Sequence, residues 1–339
     1  MAERRDSLPL AITMGEPGGV GGEILIKAWR ALHASGPAFF AIDSPARLTS
    51  LGAAVAEITH PADAHARFGD ALPILPLECA VDAEIGVADA KNAPAVIESI
   101  ERAVAFALDG AAAGVVTNPI QKASLAADGF RFPGHTEYLA ALTDDAPMPD
   151  ARERGAVMMI AGPSLRTVPI TIHHAVKDAI ALLTPDLIFK AGLITAQALR
   201  TDFGVAEPRL AFTGLNPHAG EDSLLGAEDG LVIAPAIDWL REAGVDAKGP
   251  LPADAMFHEA ARASYDAALA MLHDQALIPA KTLGFHDAVN VTLGLPIVRT
   301  SPDHGTALDI AGKGLANADS LIAAIRMAAD MAARRRLAV

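Results

Sequence analysis

Short apolar runs alternate with longer stretches of helical period along the whole chain, and this alternation most restricts what it can fold into. Leu8–Met14 reads as a strand, followed by a glycine-rich turn and a helix from about Glu23 to Leu32. Ala38–Ile42 is a second apolar run. Residues 93–109 read as a helix with Ile100, Val104 and Leu108 on one face at i, i+4, i+8. Val115-Val116 ends a strand at Thr117-Asn118-Pro119, where proline cannot continue the ladder. Val157–Ala161, Thr167–Ile172, Leu210–Leu215, Ala267–Leu272, Val289–Leu293 and Ile297–Thr300 are also strand-like, and 184–202 and 318–335 are helical. The repeated order predicts an α/β fold with a largely parallel sheet. Ala, Val, Ile and Leu carry the apolar content and aromatics make up only 4%. That composition suits parallel strands covered by helices and argues against an aromatic platform for stacking bases.

A chain of 339 residues is long enough for two lobes. Its net charge of -14 makes it a poor partner for nucleic acid or an anionic membrane, since both need a basic surface. A few local cations still suffice to hold a small anion. Cys79 is the one cysteine, so no intrachain disulfide forms. The first apolar stretch is short and broken by Glu16-Pro17-Gly18-Gly19, unlike a signal peptide or membrane span. A cytoplasmic protein is expected.

The polar residues after the strands are more informative. Thr117, His173, His218 and His273 each follow an apolar run, and in open α/β sheets ligands bind beyond the carboxyl ends of strands. Three imidazoles with an open fourth position make a catalytic zinc site, although three unrelated loop histidines would look the same, and His174 competes with His173. The turn Gly15–Gly22 before the first helix either cradles an anion or simply turns tightly; it is not G-x-G-x-x-G. His135 and Thr136 follow a Pro-Gly turn, where Thr136 also suits a helix cap. Asn290 and Arg299 interrupt apolar strand-like runs, and with Lys281 they suit a phosphate or carboxylate. The long glycine-rich segment 301–317 has the length and polarity to lie along a nucleotide.

The segment His304–Asn317 resembles the adenosine-binding loop of the isocitrate and isopropylmalate dehydrogenase superfamily, which binds NAD or NADP without the Rossmann glycine fingerprint. MGEPGGVGGE (14–23), TNPIQK (117–122), FPGHTEYLA (132–140), GLNPHAGE (214–221), GPLPADAMF (249–257), MLHDQALIPAK (271–281) and VNVTLGLPIVRTSPDHGTALDIAG (289–312) occur in order. Together they resemble the 4-hydroxythreonine-4-phosphate dehydrogenase family of vitamin B6 synthesis, over nearly the whole chain.

The resemblance implies a two-lobed isocitrate/isopropylmalate dehydrogenase-like α/β fold, with mostly parallel sheets covered by helices and the active site in the cleft between lobes. One lobe would comprise 1–130 with 296–339 and carry the NAD loop, and 131–295 the other, with metal and substrate residues and dimer contacts. It implies His173, His218 and His273 as metal ligands, zinc first, with Mg or Co as alternatives. It implies His135, Thr136, Lys281, Asn290 and Arg299 as substrate contacts. Asp254 stands near the metal and, like Lys281, is a candidate to take the substrate's proton. His304, Gly305, Thr306, Ala307, Asp309, Gly312 and Asn317 would hold NAD or NADP. The metal site would be shared across a homodimer. The implied reaction is NAD-dependent oxidation of 4-phosphohydroxy-L-threonine to a β-keto acid, which loses CO2 to give 3-amino-2-oxopropyl phosphate.

The chain departs from the family pattern at Glu16, Gly18-Gly19 and Gly22, at Asp222-Ser223-Leu224-Leu225, and at His286-Asp287. Paralogues acting on 4-phosphorylated threonate or erythronate, or on a cis-dihydrodiol dicarboxylate, therefore stay open as alternatives. A non-catalytic small-molecule-binding protein would have lost metal or nucleotide residues, and none is lost.

Overall fold

The structure, a computed structural model, describes residues 7–284 and 287–337; Phe285 and His286 fall outside the described residues. The chain is α/β and divides into two compact units. The first runs to Pro147 and resumes over Leu295–Arg336, and the second spans Met148–Gly294.

In chain order the first unit holds β1 (Leu10–Thr13), α1 (Gly21–Leu32), β2 (Phe39–Asp43), α2 (Pro45–Ser50), β3 (Val55–Glu57), α3 (Ala64–Arg67), β4 (Leu72–Pro76), α4 (Ala93–Leu108), β5 (Val115–Val116), α5 (Lys122–Ala127) and α6 (His135–Leu142). The second holds β6 (Val157–Ala161), β7 (Arg166–Pro169), α7 (Val176–Leu182), α8 (Pro185–Thr201), β8 (Arg209–Thr213), α9 (Ala234–Glu242), β9 (Asp246–Leu251), α10 (Glu259–Arg262), β10 (Ala267–Ala270), α11 (His273–Leu283) and β11 (Val289–Leu293). The chain then returns to the first unit with β12 (Arg299–Pro302) and α12 (Asp319–Leu337). No single helix among the described residues is long and apolar enough to cross a membrane.

The strands of the first unit lie in the order β3-β4-β2-β1-β5-β12. Every pairing among them is parallel. β1, β2 and β5 are buried at every residue, which explains why they read as continuous apolar runs. From β1 the chain winds one way through β2 and the other way through β5, so the order reverses between these two strands. Their carboxyl ends form a topological switch point, where open α/β sheets take their ligands.

In the second unit the order is β11-β6-β7-β10-β8-β9. β11–β6 and β6–β7 pair antiparallel, whereas β7, β10, β8 and β9 run parallel. The carboxyl ends of β7, β10 and β8 therefore share one edge. β3, β4 and β9 are not marked as strands in the sequence: β3 is three residues long, β4 contains Pro73 and Pro76, and β9 contains Lys248, Gly249 and Pro250.

The unit boundary falls at 147/148 instead of 130/131. Residues 131–147 stay with the first unit because α6 packs on α4. The Tyr138 hydroxyl donates to Glu101 at 2.8 Å, and the Tyr138 ring meets Phe130 edge-on at 4.8 Å.

The helix starts carry local signals. Ser44 caps α2 by accepting from the Arg47 amide, and Thr184 caps α8 by accepting from Leu187, with proline next in each case. α2 also holds the glycine-rich turn. The Arg47 guanidinium donates to both oxygens of Asp43, at 3.0 and 2.6 Å, and to the Pro17 carbonyl at 3.1 Å. The Asp43 side chain is fully buried and that of Arg47 nearly so. Removing one partner of such a pair leaves the other charge desolvated. Asp43→Ala should therefore destabilise the protein by about 3–5 kcal/mol. Urea denaturation of the full chain measures this; a loss below about 1 kcal/mol would put the pair among ordinary surface bridges.

Candidate active site

In the first unit the site is built around the β1/β5 switch point. Asn118 locks the two strand ends together: its side-chain amide donates to the Thr13 carbonyl at 3.0 Å, and its backbone N–H donates to Thr13 Oγ1 at 3.2 Å. The turn after β1 closes against the other strand, with the Glu16 amide donating to the Pro119 carbonyl at 2.8 Å. Gly15 sits there at φ +70°, and a Cβ would come within 2.7 Å of both Asn118 and Pro119, so only glycine fits. Glu16 is buried, and burial pushes its carboxyl above the ordinary range despite donors from Gly18 and Ser124.

Arg299 opens β12 beside β5 and is 3% exposed. Its Nη2 donates to Thr117 Oγ1 at 2.6 Å. Burial lowers its pKa to about 10, so the guanidinium stays charged at neutral pH. His135, the first residue of α6, is half-buried, and its Nε2 is itself buried with no hydrogen-bond partner among the described residues. Burial holds the imidazole well below its ordinary pKa, with the charges of Arg299 and Lys122 adding to the effect. It is therefore neutral at pH 7, with a nitrogen ready to serve a ligand. Thr136 follows it in the first turn.

The segment 304–317 also belongs to the first unit and lies on the glycine-rich turn. Val20 N–H donates to the Thr306 carbonyl at 3.0 Å, and a Cβ on Gly19 would stand 2.8 Å from that oxygen. Thr306 is buried, whereas His304, Gly305, Asp309 and Gly312 are exposed. Ala307 adopts a left-handed conformation at φ +44° and Gly312 at +72°. The Lys27 ammonium on α1 donates to the carbonyls of Gly314 at 2.9 Å and Ala316 at 2.6 Å, fixing the far side of the loop. Asn317 is engaged with Asp319, whose amide it accepts at 2.7 Å, at the start of α12.

In the second unit, β7 and β10 are neighbours, and the chain beyond them brings His173 and His273 together with ring centroids 5.9 Å apart. With Thr171, His174, Leu272 and Asp274 they line a pocket of about 310 Å3. His273 Nδ1 lies 2.8 Å from Asp274 Oδ1, which leaves Nε2 as the nitrogen that Asp274 does not engage. A ligating histidine is characteristically oriented in this way, so the donor set fits a metal that accepts imidazole nitrogen. His174 lines the same pocket, so both residues of the His173-His174 pair stay in contention.

His218 follows β8 in a turn of left-handed residues, itself at φ +52° and Ala219 at +52°. Among the described residues no group of three His, Cys, Asp or Glu is disposed to hold a metal ion, so this chain brings two of the three histidines together and not the third. The turn bearing His218 packs against the turn bearing the exposed Asp254. Lys281 lies on α11 and Asn290 on β11; Asn290 Oδ1 is buried without a hydrogen-bond partner among the described residues.

Two positioning residues in this unit were not legible in the sequence. The carboxylate of Asp229 accepts from the amides of Leu215 and Asn216 at 2.8 and 3.2 Å and from the Asn216 side chain at 2.9 Å, setting the approach to His218. Gln275 bridges the ends of β8 and β10, donating to the Gly214 carbonyl at 2.9 Å and accepting from Leu272 N–H at 3.0 Å. Both stand in helical turns with no marking pattern, although Gln275 is two residues past His273.

The family described as pyridoxal phosphate biosynthetic protein PdxA matches residues 39–328. A protein of Caulobacter vibrioides named 4-hydroxythreonine-4-phosphate dehydrogenase is 55% identical over 331 residues, covering 97% of this chain and 99% of its own. A crystal structure of a 4-hydroxythreonine-4-phosphate dehydrogenase from Klebsiella pneumoniae superposes with a TM-score of 0.84 at 36% identity, over 96% of this chain and 98% of that one. A terephthalate 1,2-cis-dihydrodiol dehydrogenase from Burkholderia xenovorans is more distant, with a TM-score of 0.63 at 26% identity over 96% of this chain and 98% of its own.

The His135 environment carries a pH dependence of known sign. An unfolded chain, with its imidazole near the ordinary 6.5, binds a proton below that pH which the folded site refuses. The folded state's advantage is thus full above pH 6.5 and is lost as pH falls from there toward the depressed folded value. His135→Gln removes the titration, so its melting temperature should fall less than the wild type's between pH 7.5 and pH 5.5. Parallel falls in the two proteins would mean that the folded site takes up the proton as readily as the unfolded chain.

Proposed function

Because the chain belongs to the pyridoxal phosphate biosynthetic protein PdxA family, we propose that it is the dehydrogenase that oxidises 4-phosphohydroxy-L-threonine with NAD or NADP, in the synthesis of pyridoxal phosphate. The product is a β-keto acid that loses CO2 to give 3-amino-2-oxopropyl phosphate. One observation in the first unit carries the substrate class: a buried guanidinium held on Thr117, with a buried nitrogen of His135 in the same unit that has no partner among the described residues. A phosphorylated substrate offers several charged oxygens, which suit both a guanidinium and an imidazole as hydrogen-bond partners.

The residues divide the work. Arg299, His135 and Thr136 hold an anionic end of the substrate, and Lys281 and Asn290 are its further contacts. The neutral state of His135 lets its ring act as a hydrogen-bond partner without adding a third charge. Lys281 or Asp254 takes the proton from the substrate hydroxyl. His304, Gly305, Thr306, Ala307, Asp309, Gly312 and Asn317 hold the adenosine half of the nucleotide, and the bound nucleotide supplies the hydride acceptor. His173, His273 and His218 would hold a divalent metal, zinc before Mg or Co, with two copies of the chain contributing to one site. Bound there, a metal supplies positive charge that lowers the hydroxyl's pKa and favours the developing alkoxide. A cytoplasmic enzyme fits the acidic, single-cysteine chain.

The direct test is product formation from 4-phosphohydroxy-L-threonine and NAD, with 4-phosphorylated threonate and erythronate and a cis-dihydrodiol dicarboxylate as competitors. We expect the first to be preferred by kcat/KM and turnover to stop on complete chelation, returning with zinc. A preference for a competitor would reassign the substrate, and full activity in verified metal-free protein would remove the metal.

Arg299→Lys provides a second check, because an ammonium does not reproduce the two-pronged contact of a guanidinium. The loss should be about 1.5–3 kcal/mol in kcat/KM on the phosphorylated substrate, the range for a hydrogen bond to a charged group. It should be much smaller on 4-hydroxythreonine, which lacks the phosphate. Equal losses on the two compounds would assign Arg299 to another part of the substrate or to the fold.

A further inference from the structure

The connection leaving β5 does more than present Thr117 to Arg299. Five residues on, α5 begins with Lys122, and its side chain runs over the backbone of Gly134. A Cβ on Gly134 would stand 3.4 Å from Lys122 Cε and 3.5 Å from Nζ. Gly134 is the N-cap of α6, so the ammonium stands where the chain turns into His135 and Thr136. Glu137 Oε2 borders the same point at 3.5 Å, yet among the described residues no acidic group comes within ion-pair distance of Lys122.

An exposed lysine is ordinarily a solvated one. This one is distinguished by its neighbour: the imidazole next in sequence to Gly134 keeps a buried nitrogen without a partner among the described residues. Two cations from different elements, Arg299 on β12 and Lys122 on α5, both act on that ring. Two positive charges with a neutral hydrogen-bonding ring match a phosphoryl dianion better than a single carboxylate. The free N–H groups at the start of α6 favour the same sign. We infer that Lys122 is a further substrate-binding residue, an ammonium that grips the phosphoryl end of the substrate over Gly134 together with Arg299 and His135. The inference rests on the phosphorylated-substrate reading. Lysine suits this role as a mobile point charge, while the buried arginine fixes direction.

The test compares wild type, Lys122→Met and Lys122→Arg as the metal- and NAD-loaded enzyme. KM and kcat are measured on 4-phosphohydroxy-L-threonine, and inorganic phosphate serves as a competing probe. Methionine keeps the length of the stem, and the position is exposed, so the fold should tolerate it. In Lys122→Met, KM should rise about ten-fold, the equivalent of one charged hydrogen bond, while kcat falls far less. Inhibition by phosphate should weaken by a similar factor, and Lys122→Arg should recover most of both. Unchanged KM and phosphate inhibition in Lys122→Met, with wild type active on this substrate, would overturn the inference alone. So would a fall confined to kcat, or an equal rise in KM on 4-hydroxythreonine. A wild-type enzyme inactive on the phosphorylated substrate would overturn the reading beneath it as well.

Discussion

Parallel pairing is the constraint on which the rest of this molecule depends. A parallel strand must be entered from the same end as its neighbour, so the chain always leaves at the other. Every exit from β1, β5 and β12, and every exit from β7, β8 and β10, therefore falls on one edge of the strands of its own unit. Residues far apart in sequence are gathered there without any motif linking them. Where two exits are neighbours the side chains meet, as with His173 and His273, and Thr117 at the exit of the two-residue β5 reaches Arg299, the first residue of β12. His218 leaves from β8, on the other side of β10, and is held in its left-handed turn by Asp229 acting on the residues just before it.

That constraint also explains what could be read from the sequence. Strands buried on both faces are continuous apolar runs, so β1, β2, β5, β8 and β10 were visible, and a polar residue directly after such a run was a marked position. Arg299 stood out for the related reason that a charge within an apolar strand needs an answer. β3, β4 and β9 are not visible: β3 is three residues long and little buried, β4 is buried but carries Pro73 and Pro76, and β9 is half polar. The antiparallel pairings of β6 were hidden as well, because periodicity reports burial and not direction. Asp229 and Gln275 were missed for a third reason. They act on backbone groups, and a backbone contact leaves no trace in the identity of the residue it holds. Lys122 lay within a motif that was noticed for its order along the chain, but its position over Gly134 depends on α6 folding back toward α5.

The electrostatics follow a local rule that the net charge conceals. The chain carries a net charge of -14, yet the first unit places a guanidinium in its interior and an ammonium at the mouth of α6. Two cations placed close to one neutral imidazole, in a chain of net negative charge, give a small anion a favoured place to settle. Arg47 shows the opposite use of the same residue type. Its partner Asp43 is supplied from within, and the pair serves to fix the turn around Pro17 and not to bind. A buried arginine can thus be part of the frame, as Arg47 is, with its charge answered by a carboxylate from the next turn of chain.

The discontinuity of the first unit has a consequence for the order in which the chain becomes competent. Arg299 and Thr117, bonded in the finished protein, are 182 residues apart in sequence. On a ribosome, β1 to β5 can assemble as soon as they emerge, and the contiguous second unit can follow as a self-contained body. β12, which pairs with β5, is translated only after that whole unit. The guanidinium therefore arrives last, and a nascent or truncated chain carries an accessible β5 edge and no arginine at the proposed anion site. Closing that edge and acquiring the charge are one event, so a chain able to hold the anion is also a chain whose sheet is finished.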